Sequence, residues 1–199
     1  MNTKNMFLAL ALISSAFTAN LMAADIEANI VKNIVEVTNP KFADFLATNP
    51  LTIFPPSSFK ANKKQHEYSS NQVVPFAPAT GIEYFEIIAV GSSNVGWEYP
   101  ETYLGSTIED HGGSILYVAV LQIGYGNTNG SNMNGLSKSP FQTERLCGND
   151  LHYPCAVGET IQGWLYYFDY SGQQTGFFTA SSNSTAFPFG YWSDSISIR

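Results

Sequence analysis

Ser114-Ile-Leu-Tyr-Val-Ala-Val-Leu-Gln-Ile123 is the stretch that most narrows what this chain can fold into. Successive side chains of a strand point to opposite faces, and here both faces are apolar, so a strand of this composition must be covered on each side. Shorter segments of the same kind surround it. Ile82–Val90 predicts a strand that Gly91-Ser-Ser-Asn-Val-Gly96 ends, and a short strand is expected around Tyr103. Gly124-Tyr-Gly-Asn-Thr-Asn-Gly130 predicts a turn. Thr160–Tyr170 predicts a strand with Trp164, Tyr166, Phe168 and Tyr170 on one side. Ser171-Gly172 then suits a hairpin turn into Thr175–Ala180. Asp194-Ser-Ile-Ser-Ile-Arg199 alternates with period two, the pattern of a half-exposed edge strand. Many short strands and Gly-rich turns predict a mainly β fold: an antiparallel β-sandwich or flattened barrel over residues 81–199, with a short N-terminal helical appendage.

The preceding third of the chain has a different character. Lys4 precedes the apolar run Met6–Ile13, and small residues lead to Ala23-Ala24. That arrangement predicts a cleaved signal peptide over residues 1–23, and therefore a secreted or periplasmic protein. No second long apolar segment follows, so no membrane span is expected in the mature chain. Ile26, Ile30, Ile34 and Val37 recur at helical spacing behind Asp25. Asn39-Pro40 predicts a second helix start, with Asn39 as cap, proline in the first turn, and Phe42, Phe45 and Leu46 as its apolar side. Residues 49–80, rich in Pro, Ser, Asn and Lys, read as an extended linker, so residues 24–80 form a helical appendage plus linker.

An exported chain with one pair of cysteines, Cys147 and Cys155, is expected to join them. The rival role, metal ligation beside His152, needs a reduced compartment and a fourth ligand. Charge is sparse, at 13% of residues against about 25% in ordinary soluble domains. From Ile82 onward only Lys138, Arg145 and Arg199 are basic, against eleven acidic side chains. Such a surface repels phosphate backbones, so a nucleic-acid partner is not expected.

Several spaced motifs occur in a fixed order: Tyr84-Phe-x-Ile-x-Ala-Val-Gly91, His111-Gly-Gly-Ser114, Leu116-Tyr-Val118 and Gly124-Tyr-Gly-Asn127. Met133-Asn-Gly135, Gly158-Glu-Thr160, Asp169-Tyr-Ser-Gly172 and the terminal Ile-x-Ile-Arg199 complete the set. Together they resemble an uncharacterised family of small exported bacterial and prophage proteins, over roughly residues 82–199. The resemblance implies a secreted single domain and carries over no activity, cofactor or catalytic residue.

Among chemistry-bearing clusters, Glu109-Asp110-His111-Gly112-Gly113-Ser114 combines two carboxylates, an imidazole, flexible glycines and a hydroxyl. A carboxylate can orient an imidazole as general base, and Gly N–H groups can stabilise an oxyanion, so Glu109, Asp110 and His111 would carry a small exported hydrolase. Against this, adjacent residues on an extended chain face opposite ways, and no Gly-x-Ser-x-Gly elbow is present. His66, His111 and His152 lack metal-ligand spacing, and no Asp-x-Asp ladder marks a Ca²⁺ loop, so neither a metal nor another cofactor is expected.

Aromatic residues, 14% of the chain, are the stronger signal. Rings beside amides and carboxylates suit sugars, because the ring stacks on C–H faces while polar groups bond hydroxyls. Trp97, Tyr99, Tyr125, Asn127 and Trp192 are the residues expected to do this. The leading expectation is a non-enzymatic secreted β-sandwich that recognises an extracellular glycan or protein. The alternatives are the hydrolase and a secreted toxin or effector whose helical arm shields a surface.

Overall fold

The computed structural model describes residues 39–54, 56, 80–101 and 104–199. The expected signal peptide, the first expected helix and most of the expected linker lie outside the described residues, as does Tyr103. The elements are α1 (Pro40–Thr48), β1 (Tyr84–Ser92), β2 (Gly96–Glu98), β3 (Leu116–Ile123), β4 (Gly126–Met133), β5 (Leu136–Lys138), β6 (Gln142–Cys147), β7 (Ile161–Asp169), β8 (Gly176–Ser184) and β9 (Tyr191–Ile198). They build two antiparallel sheets, one ordered β2-β1-β3-β7-β6 and the other β5-β4-β8-β9. The sheets pack as a sandwich and do not close into a barrel.

β3 is buried at all eight positions, as its two apolar faces require. Its inner residues Leu116, Val118 and Val120 join Phe85, Ile87, Phe168, Phe178 and Ile196 in the core. Several polar ties cross between the sheets, three of them as follows. Ser182 Oγ donates to Gln122 Oε1 at 2.7 Å, the Ser131 and Tyr170 hydroxyls lie 2.9 Å apart, and Ile87 N–H donates to Asp194 Oδ2 at 2.8 Å. The last tie falls at the bulge where the β1–β3 register shifts between Ile87 and Ala89. A bulge leaves a residue outside the regular ladder, and here Asp194 supplies the missing acceptor.

α1 begins as its sequence predicts, with the Asn39 side chain accepting from the N–H groups of Lys41 and Phe42. Nine residues are too few for a stable isolated helix, so packing must hold it. Phe42 is fully buried among Tyr117, Phe141 and Tyr167, with ring centroids 4.8–4.9 Å away. Phe45 packs edge-on to Trp97 and Tyr117. Gly91 permits this approach: a Cβ there would stand 2.7 Å from the Trp97 ring and 2.9 Å from Phe45.

Two segments differ from the sequence-based expectation. The Asn/Gly-rich stretch expected as a turn is a strand, β4; only Gly124, at φ 89°, turns, against the Gly81 carbonyl. β4 buries Ser131 and Met133 and turns asparagines outward, so its pattern is nearly polar throughout. The expected hairpin also does not form, because β7 and β8 belong to different sheets. Their aromatics meet across the sandwich: Phe178 packs on Phe168 and Tyr170 at 5.8 and 5.5 Å. Aromatic spacing identifies an inward face but not which strand lies beside it. The terminal strand is an edge strand, as expected, with Ile196 and Ile198 buried and the intervening serines exposed.

Candidate functional site

The two long edges of the sandwich are finished differently. Along the β9 edge the loop after β2 closes the gap. Thr107 N–H donates to Ser197 O, Ser197 N–H to Gly105 O, and His111 N–H to Arg199 O. The His111 ring is fully buried, with Nε2 2.9 Å from Glu98 Oε2. The same carboxylate accepts from Ile108 and Glu109 N–H at 2.7 and 3.0 Å. Burial pushes the Glu98 pKa up, but these two backbone donors and the imidazole outweigh it and hold the carboxyl below the ordinary glutamate value.

Glu109 and Asp110 therefore do not orient His111. Glu109 contributes its backbone, and Asp110 accepts from Gly112 N–H at 3.0 Å in a local turn. His111 Nδ1 is buried with no hydrogen-bond partner among the described residues. A general base needs contact with its substrate, and this imidazole is sealed against a strand end. What the arrangement does is clasp the loop over the edge of β9, covering backbone groups that an edge strand would otherwise expose.

The second histidine cluster is open. His152 Nδ1 lies 2.8 Å from Asp150 Oδ1 and Nε2 2.9 Å from Glu159 Oε2, inside and just beyond the loop closed by the Cys147–Cys155 disulfide. Hydrogen bonds that the ring makes to Asp150 and then to Glu159 raise the His152 pKa. Each carboxylate engages a different ring nitrogen, so the three side chains do not converge on one point, and no metal-binding group of His, Cys, Asp and Glu occurs among the described residues.

At the opposite edge, between the β6–β7 side of one sheet and the start of β4 in the other, the sandwich gapes. A groove of about 580 Å³ is lined by Tyr125, Gly126, Asn127, Thr128, Thr143 and Trp164, with Tyr166 and Thr185 completing it. Trp164 and Tyr166 lie on the inward face of β7, packed against the core. Thr143 stands opposite Tyr166 in the β6–β7 ladder, so it shares that side. Tyr125 meets Trp164 edge to face, centroids 5.0 Å apart. The backbone of Tyr125 is fixed on both sides: its N–H donates to Thr80 O and its carbonyl accepts from Thr185 N–H. No lining residue is charged, and burial pushes the Tyr166 phenol up to about 12, so the groove is neutral through the physiological range.

Of the five residues expected to bind ligand, the fold thus brings two together, Tyr125 and Asn127. Trp97 and Tyr99 sit elsewhere and hold the N-terminal arm: Trp97 Nε1–H donates to Asn49 O, and the Tyr99 hydroxyl accepts from Thr52 N–H. Trp192 is half-buried on β9 against the core. Trp164 is the residue sequence reasoning missed as a site. The sequence placed it on one side of a strand with Tyr166, Phe168 and Tyr170, and its place at the end of that row, beyond Tyr166, was the available signal.

No helix among the described residues is long and apolar enough to cross a membrane. No curated protein matches the chain. A protein-family profile described as "Domain of unknown function (DUF4879)" matches residues 77–198, which takes in both sheets and the groove and leaves α1 outside. By that match over more than half its length, the chain belongs to this uncharacterised family.

Proposed function

We propose that this chain is a secreted or periplasmic, non-enzymatic recognition domain whose open-edge groove binds a neutral glycan. The observation that carries the reading is the Tyr125–Trp164 pair set in an uncharged groove with amide and hydroxyl groups on its rim. Sugars present apolar C–H faces and a fringe of hydroxyls, and such a groove complements both. Its volume lies within the range of about 300–1,000 Å³ usual for small-ligand sites. Export is supported by the N-terminal apolar run and by the disulfide, which persists in oxidising compartments.

Calorimetric titration of the full chain with neutral oligosaccharides tests the reading. Trp164→Ala should weaken binding at least about tenfold, roughly 1.4 kcal/mol, whereas Trp97→Phe should leave affinity unchanged. Equal affinity of wild type and Trp164→Ala for every binding sugar, or binding to none, would sink the proposal.

A further inference from the structure

The outward face of the four-stranded sheet has an unusual composition for a protein with so many acidic groups. In the β4–β8–β9 register, Asn127 stands beside Asn183, and Asn183 beside Tyr191. Further along, Asn132 stands beside Thr179, and Thr179 beside Ser195, with Ser181 and Ser193 paired between these rows. The charged residues of these strands point the other way. Lys138 donates to the Asp169 carbonyl and lies over the Tyr170 ring, and Asp194 accepts from Ile87.

The face is therefore a grid of hydroxyls and amides, spaced about 4.8 Å between strands and about 6.8 Å along them. Neighbours hold several of the amides in place: Asn183 Nδ2 donates to Asn129 Oδ1 at 2.9 Å, and Asn132 Nδ2 to Ser137 Oγ at 3.0 Å. A hollow of about 600 Å³ runs across it. Tyr191, 66% exposed, stands at one end, and the exposed Phe187 and Phe189 shortly precede it in the chain.

An anionic polymer would call for Lys or Arg here, a cation for carboxylates, and an apolar partner for aliphatic side chains. No Lys, Arg, carboxylate or aliphatic side chain faces outward among these rows; Lys138 and Asp194 touch the hollow from the inward side, and the exposed Phe177 stands at the far end of the face beside Ser197. What does complement a neutral grid of donors and acceptors is a polymer carrying regularly repeated hydroxyls. The face is also continuous with the edge groove, because Asn127 belongs both to the groove lining and to the row that ends at Tyr191.

We infer that the ligand is a long neutral polysaccharide, seated in the Tyr125–Trp164 groove and extending across the outer face of the four-stranded sheet toward Tyr191. This deepens the glycan reading and rests on it for the groove end.

Affinity gel electrophoresis and calorimetry with soluble galactomannan, xylan and dextran, each beside its own disaccharide and hexasaccharide, test the inference on the full chain. For the polymer that binds, affinity should rise at least tenfold from disaccharide to polymer. Thr179→Lys, at a half-buried position on the outward face, and Ser193→Lys, at an exposed one, should remove that gain and leave disaccharide binding intact. Trp164→Ala should weaken both. Disaccharide binding that Trp164→Ala weakens, with no gain for the polymer or a gain untouched by the lysine variants, would overturn the extended site and leave the groove reading standing. Polymer binding lost in Thr179→Lys but unaffected by Trp164→Ala would overturn the groove reading instead. Binding of no neutral polymer overturns both. A wild-type dimer in sedimentation that Thr179→Lys converts to monomer would assign the face to a second copy of the chain and overturn the inference.

Discussion

The outer face of the five-stranded sheet presents Gly91, Tyr117 and Tyr167 and is roofed by α1, while the outer face of the four-stranded sheet presents Asn132, Thr179 and Ser193 and stands open. Both faces arise from the same pleat and the same alternation. They differ in what alternates: in β3 every second residue remains apolar, whereas the outward residues are Asn127 and Asn132 in β4 and Ser193, Ser195 and Ser197 in β9. An apolar outward row demands a cover, and the arm supplies it with two phenylalanines three residues apart. A neutral polar row needs no cover for stability, so its lack of charge asks for another explanation, which the proposed glycan ligand would supply.

The largest expected effect tests whether the roof holds the fold. Phe42→Ala should cost about 3–5 kcal/mol in urea denaturation, because it empties a fully buried site among three rings. A loss below about 1 kcal/mol would mean that the arm rests on the sheet without holding it, and the contrast between the faces would fail.

A smaller effect belongs to the clasped edge. Glu98→Gln should cost about 1–2 kcal/mol at neutral pH, since it replaces charge-assisted hydrogen bonds with neutral ones. The sign of the pH dependence follows from the lowered Glu98 pKa. Its contribution is fully present above the ordinary value of 4.5 and is lost as pH falls through the lower folded-state value. Wild type and variant should therefore converge in stability below about pH 4.5. A gap that stays constant down to the acid transition would show that the carboxylate's charge is not what secures the loop.

The smallest effect belongs to the open face. Ser193→Lys should change stability by no more than about 0.5 kcal/mol by thermal denaturation, as for a surface position outside any buried network. A larger loss would give the serine rows a structural reason to be uncharged and weaken the argument that they serve a ligand.

Much of the architecture could be read before any coordinates were known. The covered central strand, the capped second helix, the edge strand at the C-terminus and the Cys147–Cys155 pairing all follow from local rules: alternation, capping chemistry and cysteine count. The paired sheets of a β-sandwich follow from those strands. The site was legible only in part. Tyr125 and Asn127 stood out because an aromatic beside amides in a Gly-rich segment suits recognition, and the fold does place them in one groove. Trp97 and Tyr99 carry the same chemistry, but their polar atoms are spent on Asn49 and Thr52, partners nearly fifty residues away.

Sequence by itself determined which residues could face inward, since side-chain direction in a strand depends only on parity and polarity. Tertiary structure alone decided what those residues face. It put β7 and β8 in opposite layers, turned Glu98 rather than Asp110 onto His111, and left one edge open around Trp164 while closing the other. The physical reason is that parity is a local property of the backbone, whereas a neighbour is chosen by packing energy summed over residues far apart in the chain.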